Sequence, residues 1–95
     1  MKMLSIIIPV YNEEQNIPNM VQTLDQLLKE HKISYEIIFI DDGSKDQTWE
    51  ILSSYKNLSY ITSIRFSRNF GKEAAISAGL RQVKGDACVV MDCDM

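Results

Sequence analysis

The stretch LSIIIP, Leu4 to Pro9, lacks the strict apolar and polar alternation of a half-exposed strand. A strand covered by other elements on both faces reads this way, because neither of its sides is written for water. Ile37 to Ile40, Tyr60 to Phe66 and Ala87 to Met91 read similarly, so four strands buried on both faces are expected. Between the first two, Ile17, Met20, Val21, Leu24, Leu27 and Leu28 fall at helical spacing. Asn16 is placed to cap that helix, Pro18 is tolerable in its first turn, and the pattern runs to about Glu30. Ser44 with Gln47 forms a capping-box pattern ahead of Trp49, Ile51, Leu52 and Tyr55, which predicts a second helix. Ala74, Ala75, Ala78 and Gly79, with Ile76, Leu80 and Val83, predict a third helix whose small face can lie close to a sheet, ended by Lys84-Gly85-Asp86.

The order β-α-β-α-β-α-β requires a parallel sheet, since parallel neighbours need a connection that carries the chain back. The expected fold is α/β, a three-layer, Rossmann-like parallel sheet with strand order 3-2-1-4. The turn after the first strand is Pro9-Val10-Tyr11-Asn12-Glu13 and contains no Gly-x-Gly-x-x-Gly. Dinucleotide-binding and P-loop readings therefore fail.

With 95 residues, 45% hydrophobic and 24% charged, the chain describes one globular unit. Its net charge of −3 argues against a nucleic-acid partner, which needs a basic surface to release counterions. Arg65, Arg68 and Lys72 form the one modest basic cluster, enough for a single phosphate group. The apolar runs are too short to span a membrane, and the N-terminus lacks the pattern of a signal peptide, so this segment is expected to be cytoplasmic. Cys88 and Cys93 are too few for a disulfide framework and are expected to be reduced thiols. His31 closes the first helix as a solvated residue favourable to its dipole.

In open parallel sheets a ligand sits beyond the carboxyl ends of the strands, where strand order reverses. The unusual residues all fall there: Tyr11 and Glu13 after the first strand, Asp41-Asp42-Gly43-Ser44 after the second, Arg68 to Lys72 after the third, and Asp92-Cys93-Asp94 after the fourth. Hard divalent ions such as Mg²⁺ and Mn²⁺ take oxygen ligands and keep positions open for phosphates, so Asp92 and Asp94 are candidate metal ligands. Tyr11 can stack on a base or be a packed aromatic. Asp42 can accept hydrogen bonds from a base edge or a ribose, or else Asp41 or Asp42 can serve an Asx turn before Gly43. Ser44 and Asp46 are assigned to capping. Arg68 or Lys72 can meet a phosphate, or belong to a solvated helix start.

Four stretches, IIIPVYNEEQNI from Ile6, YEIIFIDDGSKDQT from Tyr35, FSRNFGKEAAISAGL from Phe66 and GDACVVMDCDM from Gly85, resemble in order and spacing the N-terminal half of family 2 glycosyltransferases. The resemblance is strongest to the branch with dolichyl-phosphate and polyprenyl-phosphate glycosyltransferases. It implies a GT-A fold cut short, with residues 1–95 as the nucleotide-sugar-binding part of a domain whose acceptor half is missing, and little or no turnover by this part alone. It further implies a nucleoside-diphosphate sugar donor, inversion at the anomeric carbon, and Mg²⁺ or Mn²⁺ held by Asp92 and Asp94 as the catalytic pair. Pro9, Tyr11, Glu13 and Asp42 would line the nucleotide pocket, with Arg68 and Lys72 beside the phosphates. The acceptor is biased toward a polyprenyl phosphate, with a glycan as the alternative, and the longer protein would work at the cytoplasmic face of the membrane. Two further readings stand beside this one: a non-catalytic sugar-nucleotide-binding module, and the first part of a processive polysaccharide synthase. The apolar last strand, as a sheet edge, also predicts self-association.

Overall fold

A computed structural model describes residues 2–93. The elements run β1 (Met3–Val10), α1 (Ile17–Glu30), β2 (Ser34–Asp41), α2 (Thr48–Ser53), β3 (Ile61–Arg65), α3 (Lys72–Leu80) and β4 (Ala87–Val90). All pairings are parallel and the strand order is β3-β2-β1-β4, as the strand and helix alternation requires.

The central strands divide their side chains between two layers. Ile6, Ile8, Val10, Ile37 and Phe39 face α1 and α2, where they join Ile17, Met20, Leu24 and Leu52 in the larger core. Ile7, Ile38 and Ile40 point the other way and meet Ala75 of α3. The run in β1 and β2 is therefore apolar at every core position because both faces are covered. Close contact with α3 depends on Gly79: a Cβ there would stand 2.7 Å from Ile7 Cγ2 and 2.9 Å from Ile40 Cδ1.

Several local expectations need correction. Only β1 and β2 are covered on both faces. β4 is exposed along its whole length and β3 is mostly half-buried, because strand order makes both of them edges. Asn16 occupies the cap position of α1 but makes no side-chain cap; its Nδ2 donates to Glu13 Oε2 at 3.0 Å. α2 starts at Thr48 with no side-chain cap from Gln47, so the Ser44 and Gln47 capping box does not form. α3 ends at Leu80, and Val83 packs on the smaller core from the following turn. His31 ends α1 as expected, its Nδ1 3.0 Å from the carbonyl of Leu27.

At the amino ends of the strands lies a polar knot that the apolar pattern conceals. Ser5, fully buried in β1, donates through Oγ to Glu36 Oε2 at 2.6 Å and accepts the Gly85 amide at 2.9 Å. The same Glu36 oxygen accepts the Lys84 amide at 2.7 Å, and the Asp86 amide donates to the Met3 carbonyl at 2.8 Å. The turn before β4 is thus tied to β1 and β2 together.

Candidate functional site

At the opposite, carboxyl end of the sheet the loops after β1 and β2 are laced to each other. Asn12, at φ 53°, takes the left-handed conformation that asparagine tolerates better than most residues. Its amide donates to Ser44 Oγ and its Oδ1 accepts the Lys45 amide, both at 2.8 Å. The amide of Glu13 donates to Thr48 Oγ1 at 3.0 Å and that of Glu14 to Asp46 Oδ2 at 3.3 Å. Ser44 therefore serves the neighbouring loop rather than a helix. Asp46 does serve α2, accepting the Thr48 amide at 2.9 Å as well as the Thr48 hydroxyl.

Partial desolvation is the largest single influence on the Asp46 carboxyl and raises its pKa, but the hydrogen bonds from Thr48 and Glu14 together outweigh it and hold the group below the ordinary carboxylate range. A depressed folded-state pKa means a contribution present above the unfolded value, near 3.9, and lost as pH falls through the folded one. Asp46→Ala is accordingly expected to cost about 0.5–2 kcal/mol at neutral pH, the range for helix-capping side chains. Urea titrations of wild type and variant at decreasing pH check this: the gap should shrink below about pH 4, and a constant gap down to pH 2 would contradict it.

The two acids that end β2 have separate tasks. Asp41 is fully buried; its Oδ1 accepts the Ser44 amide at 2.8 Å, the expected Asx turn, while Oδ2 has no hydrogen-bond partner among the described residues. Asp42 is 4% exposed, and it faces the other way. Its Oδ1 accepts the amide of Phe70 at 2.8 Å and its Oδ2 that of Gly71 at 3.1 Å. Gly43 follows at φ 76°, pressed against the backbone of Arg68 and Asn69.

A cleft of ≈ 200 Å³ opens above these loops, lined by Pro9, Val10, Tyr11, Glu13, Asp42, Lys72, Asp92 and Cys93. Tyr11 is 40% exposed at the edge of this cleft. Lys72 Nζ stands 2.7 Å from Asp92 Oδ1, with both side chains more than half exposed. Arg68 is not among the lining residues; its guanidinium lies over the Phe70 ring, 4.5 Å from the centroid. Arg65 lies over Trp49, so the three basic residues do not form one cluster. Cys88 is exposed and Cys93 is buried. Asp94 lies outside the described residues.

Among the described residues no three histidine, cysteine or acidic side chains converge on a cation position. Asp92 supplies a hard oxygen donor beside the cleft, and that donor type fits Mg²⁺ or Mn²⁺, which bind through one or two carboxylates and complete their shells with phosphate and water. Sequence reasoning missed Asn12 and Thr48, whose partners in the facing loop are more than thirty positions away in the chain.

An uncharacterized glycosyltransferase of Synechocystis sp. is 44% identical over 93 residues, 97% of this chain and 29% of that protein. The undecaprenyl-phosphate 4-deoxy-4-formamido-L-arabinose transferase of Yersinia pestis is 41% identical over 96 residues, covering 99% of this chain and 29% of the relative. The structure of S. aureus TarS 1-349 in complex with UDP-GlcNAc superposes with a TM-score of 0.77 at 29% identity, over 99% of this chain and 27% of that one. The chain thus spans less than a third of the length of these relatives, and its sheet order and layers are those of a GT-A-like α/β fold. The family model for glycosyl transferase family 2 matches residues 5–95, and the chain belongs to that family.

Proposed function

We propose that the chain forms the donor-binding part of an inverting glycosyltransferase, which takes a sugar from a nucleoside-diphosphate sugar and, within a longer protein, delivers it to a polyprenyl phosphate. The observation that carries this reading is a cleft at the carboxyl ends of the strands that gathers Pro9, Tyr11, Glu13, Asp42, Lys72 and Asp92 from four separate segments. A UDP-GlcNAc complex of a 29% identical neighbour supports the donor class, and the name of the Yersinia relative supports the lipid-phosphate acceptor.

In this reading the Tyr11 ring stacks on the base, Pro9 and Glu13 close the floor and side of the pocket, and Lys72 meets the diphosphate. Asp92 and Asp94 would hold Mg²⁺ or Mn²⁺, which when bound offsets the negative charge on the diphosphate. The acceptor phosphate oxygen attacks the anomeric carbon from the face opposite the diphosphate; the new C–O bond forms as the old one breaks, and the charge passes from acceptor to leaving group. An ionised phosphate acceptor needs no general base, so none is required of this chain. No helix of the described residues is long and apolar enough to cross a membrane, and a lipid acceptor would bring the longer protein to the cytoplasmic membrane face.

Calorimetric titration of UDP and of GDP in the presence of Mg²⁺ tests the donor site. One of the two is expected to bind saturably, and Tyr11→Ala to weaken it by ~1–3 kcal/mol, the usual worth of a base stacked on an aromatic ring. Unchanged affinity in the variant would remove Tyr11 from the pocket; no binding of either nucleotide would remove the donor reading.

A further inference from the structure

We propose that Asp42 is a positioning residue for Lys72: by gripping the backbone that leads into α3, it sets the ammonium group at the diphosphate side of the cleft. This rests on the donor reading above and assigns Asp42 a task separate from contact with the base. Both of its oxygens are engaged by the Phe70 and Gly71 amides, the two that immediately precede Lys72. Its own amide donates to the Val10 carbonyl at 2.9 Å, so the grip is anchored to β1 rather than to a free loop. Ser67 to Phe70 are all exposed, and the backbone of this segment meets Gly43 at Arg68 and Asn69 and the Asp42 carboxylate at Phe70 and Gly71. A carboxylate at the amino end of α3 is also favoured by the helix dipole, so the charge that is 96% covered is stabilised where it stands. Lys72, the residue after these two amides, has its Nζ 2.7 Å from Asp92 Oδ1. Two successive amides donating to Asp42 thus fix where the next residue starts its helix, and with it the reach of the lysine.

The test separates base contact from diphosphate contact by titrating a nucleoside against its diphosphate, uridine with UDP and guanosine with GDP, in Mg²⁺. Lys72→Gln is expected to weaken the diphosphate about tenfold, one charge-assisted hydrogen bond, and to leave the nucleoside unchanged. Asp42→Asn keeps the shape but turns an amide NH₂ toward one of the backbone N–H groups, so whatever it costs the nucleoside, it should cost the diphosphate about tenfold more. Measured relative to the nucleoside, the double variant should lose about tenfold on the diphosphate, not the hundredfold that independent sites would give. A hundredfold loss, or an equal loss for nucleoside and diphosphate in Asp42→Asn, overturns the proposal while leaving the donor reading intact. A wild-type protein that binds neither diphosphate overturns both. Should Asp42→Asn not fold, hydrogen exchange in the wild type decides: the Phe70 and Gly71 amides must be protected although their loop is exposed, and free exchange at both refutes the grip.

Discussion

Gly43→Ala is expected to destabilise the protein by about 3 kcal/mol, a large part of the ~5–15 kcal/mol that holds a small domain together. Two costs add. At φ 76° the residue lies in the left-handed region, where a Cβ is unfavourable by roughly 1–2 kcal/mol. The added carbon would also stand 2.3 Å from the Arg68 carbonyl carbon and 2.6 Å from the Asn69 nitrogen. These are backbone atoms that cannot rotate aside, so the loop after β3 must move, at the ~1–3 kcal/mol typical of an overfilled interior. Because that loop is also the one Asp42 grips, donor affinity should fall with stability. Urea unfolding measures the first effect as a lower midpoint at unchanged slope; a loss below 1 kcal/mol would mean that the two loops do not touch as described.

Replacing Asp92 and Asp94 together by asparagine should have the largest effect on chemistry. In a protein carrying this chain within the full length of its relatives, the double variant is expected to transfer sugar about 10²–10³-fold more slowly, the scale on which lost electrostatic stabilisation of a developing charge is felt. Stability should hardly change. The Asp92 side chain is 60% exposed and its ion pair with Lys72 is a surface one, worth at most about 1 kcal/mol. The comparison is therefore clean: product formation under saturating Mg²⁺ or Mn²⁺ against the urea midpoint of the same protein. Wild-type turnover in the variant would refute the role given to the pair.

The parts of the fold that local patterns govern are legible in the sequence. The spacing of Ile17, Met20, Val21, Leu24 and Leu28 specifies α1 to its ends, because each of those residues is buried on one stripe. The unbroken runs of β1 and β2 specify a sheet covered on both faces, and the alternation of strands with helices specifies parallel pairing. Edge strands defeat the same argument: Val89 and Val90 read as buried yet are each 39% exposed, since nothing local tells an edge from a centre. Capping fails for a related reason. Ser44 and Asn16 are capping types by composition, but a neighbour competes for each, the Asn12 amide across the loops for one and Glu13 within the same loop for the other. The placement of Tyr11, Glu13, Asp42, Lys72 and Asp92 around one cleft follows from topology and could be anticipated. What Asp42 holds could not, because its partners lie 28 and 29 positions further along and depend on how the third connection returns.

The polar knot around Glu36 lies at the end of the sheet away from the cleft, yet it governs what happens there. β4 has one neighbour, β1, and its pairing of Leu4 with Ala87 begins at the turn that Glu36 and Ser5 hold through Lys84 and Gly85. A short, exposed strand with a single partner has little apolar packing of its own to choose its alignment. Were it to slip by one residue, Asp92 would travel about 3.3 Å along the strand and its side chain would turn to the opposite face. Glu36 is in effect a register pin: a carboxylate remote from the cleft helps to set whether the acidic end of β4 arrives over the cleft or past it.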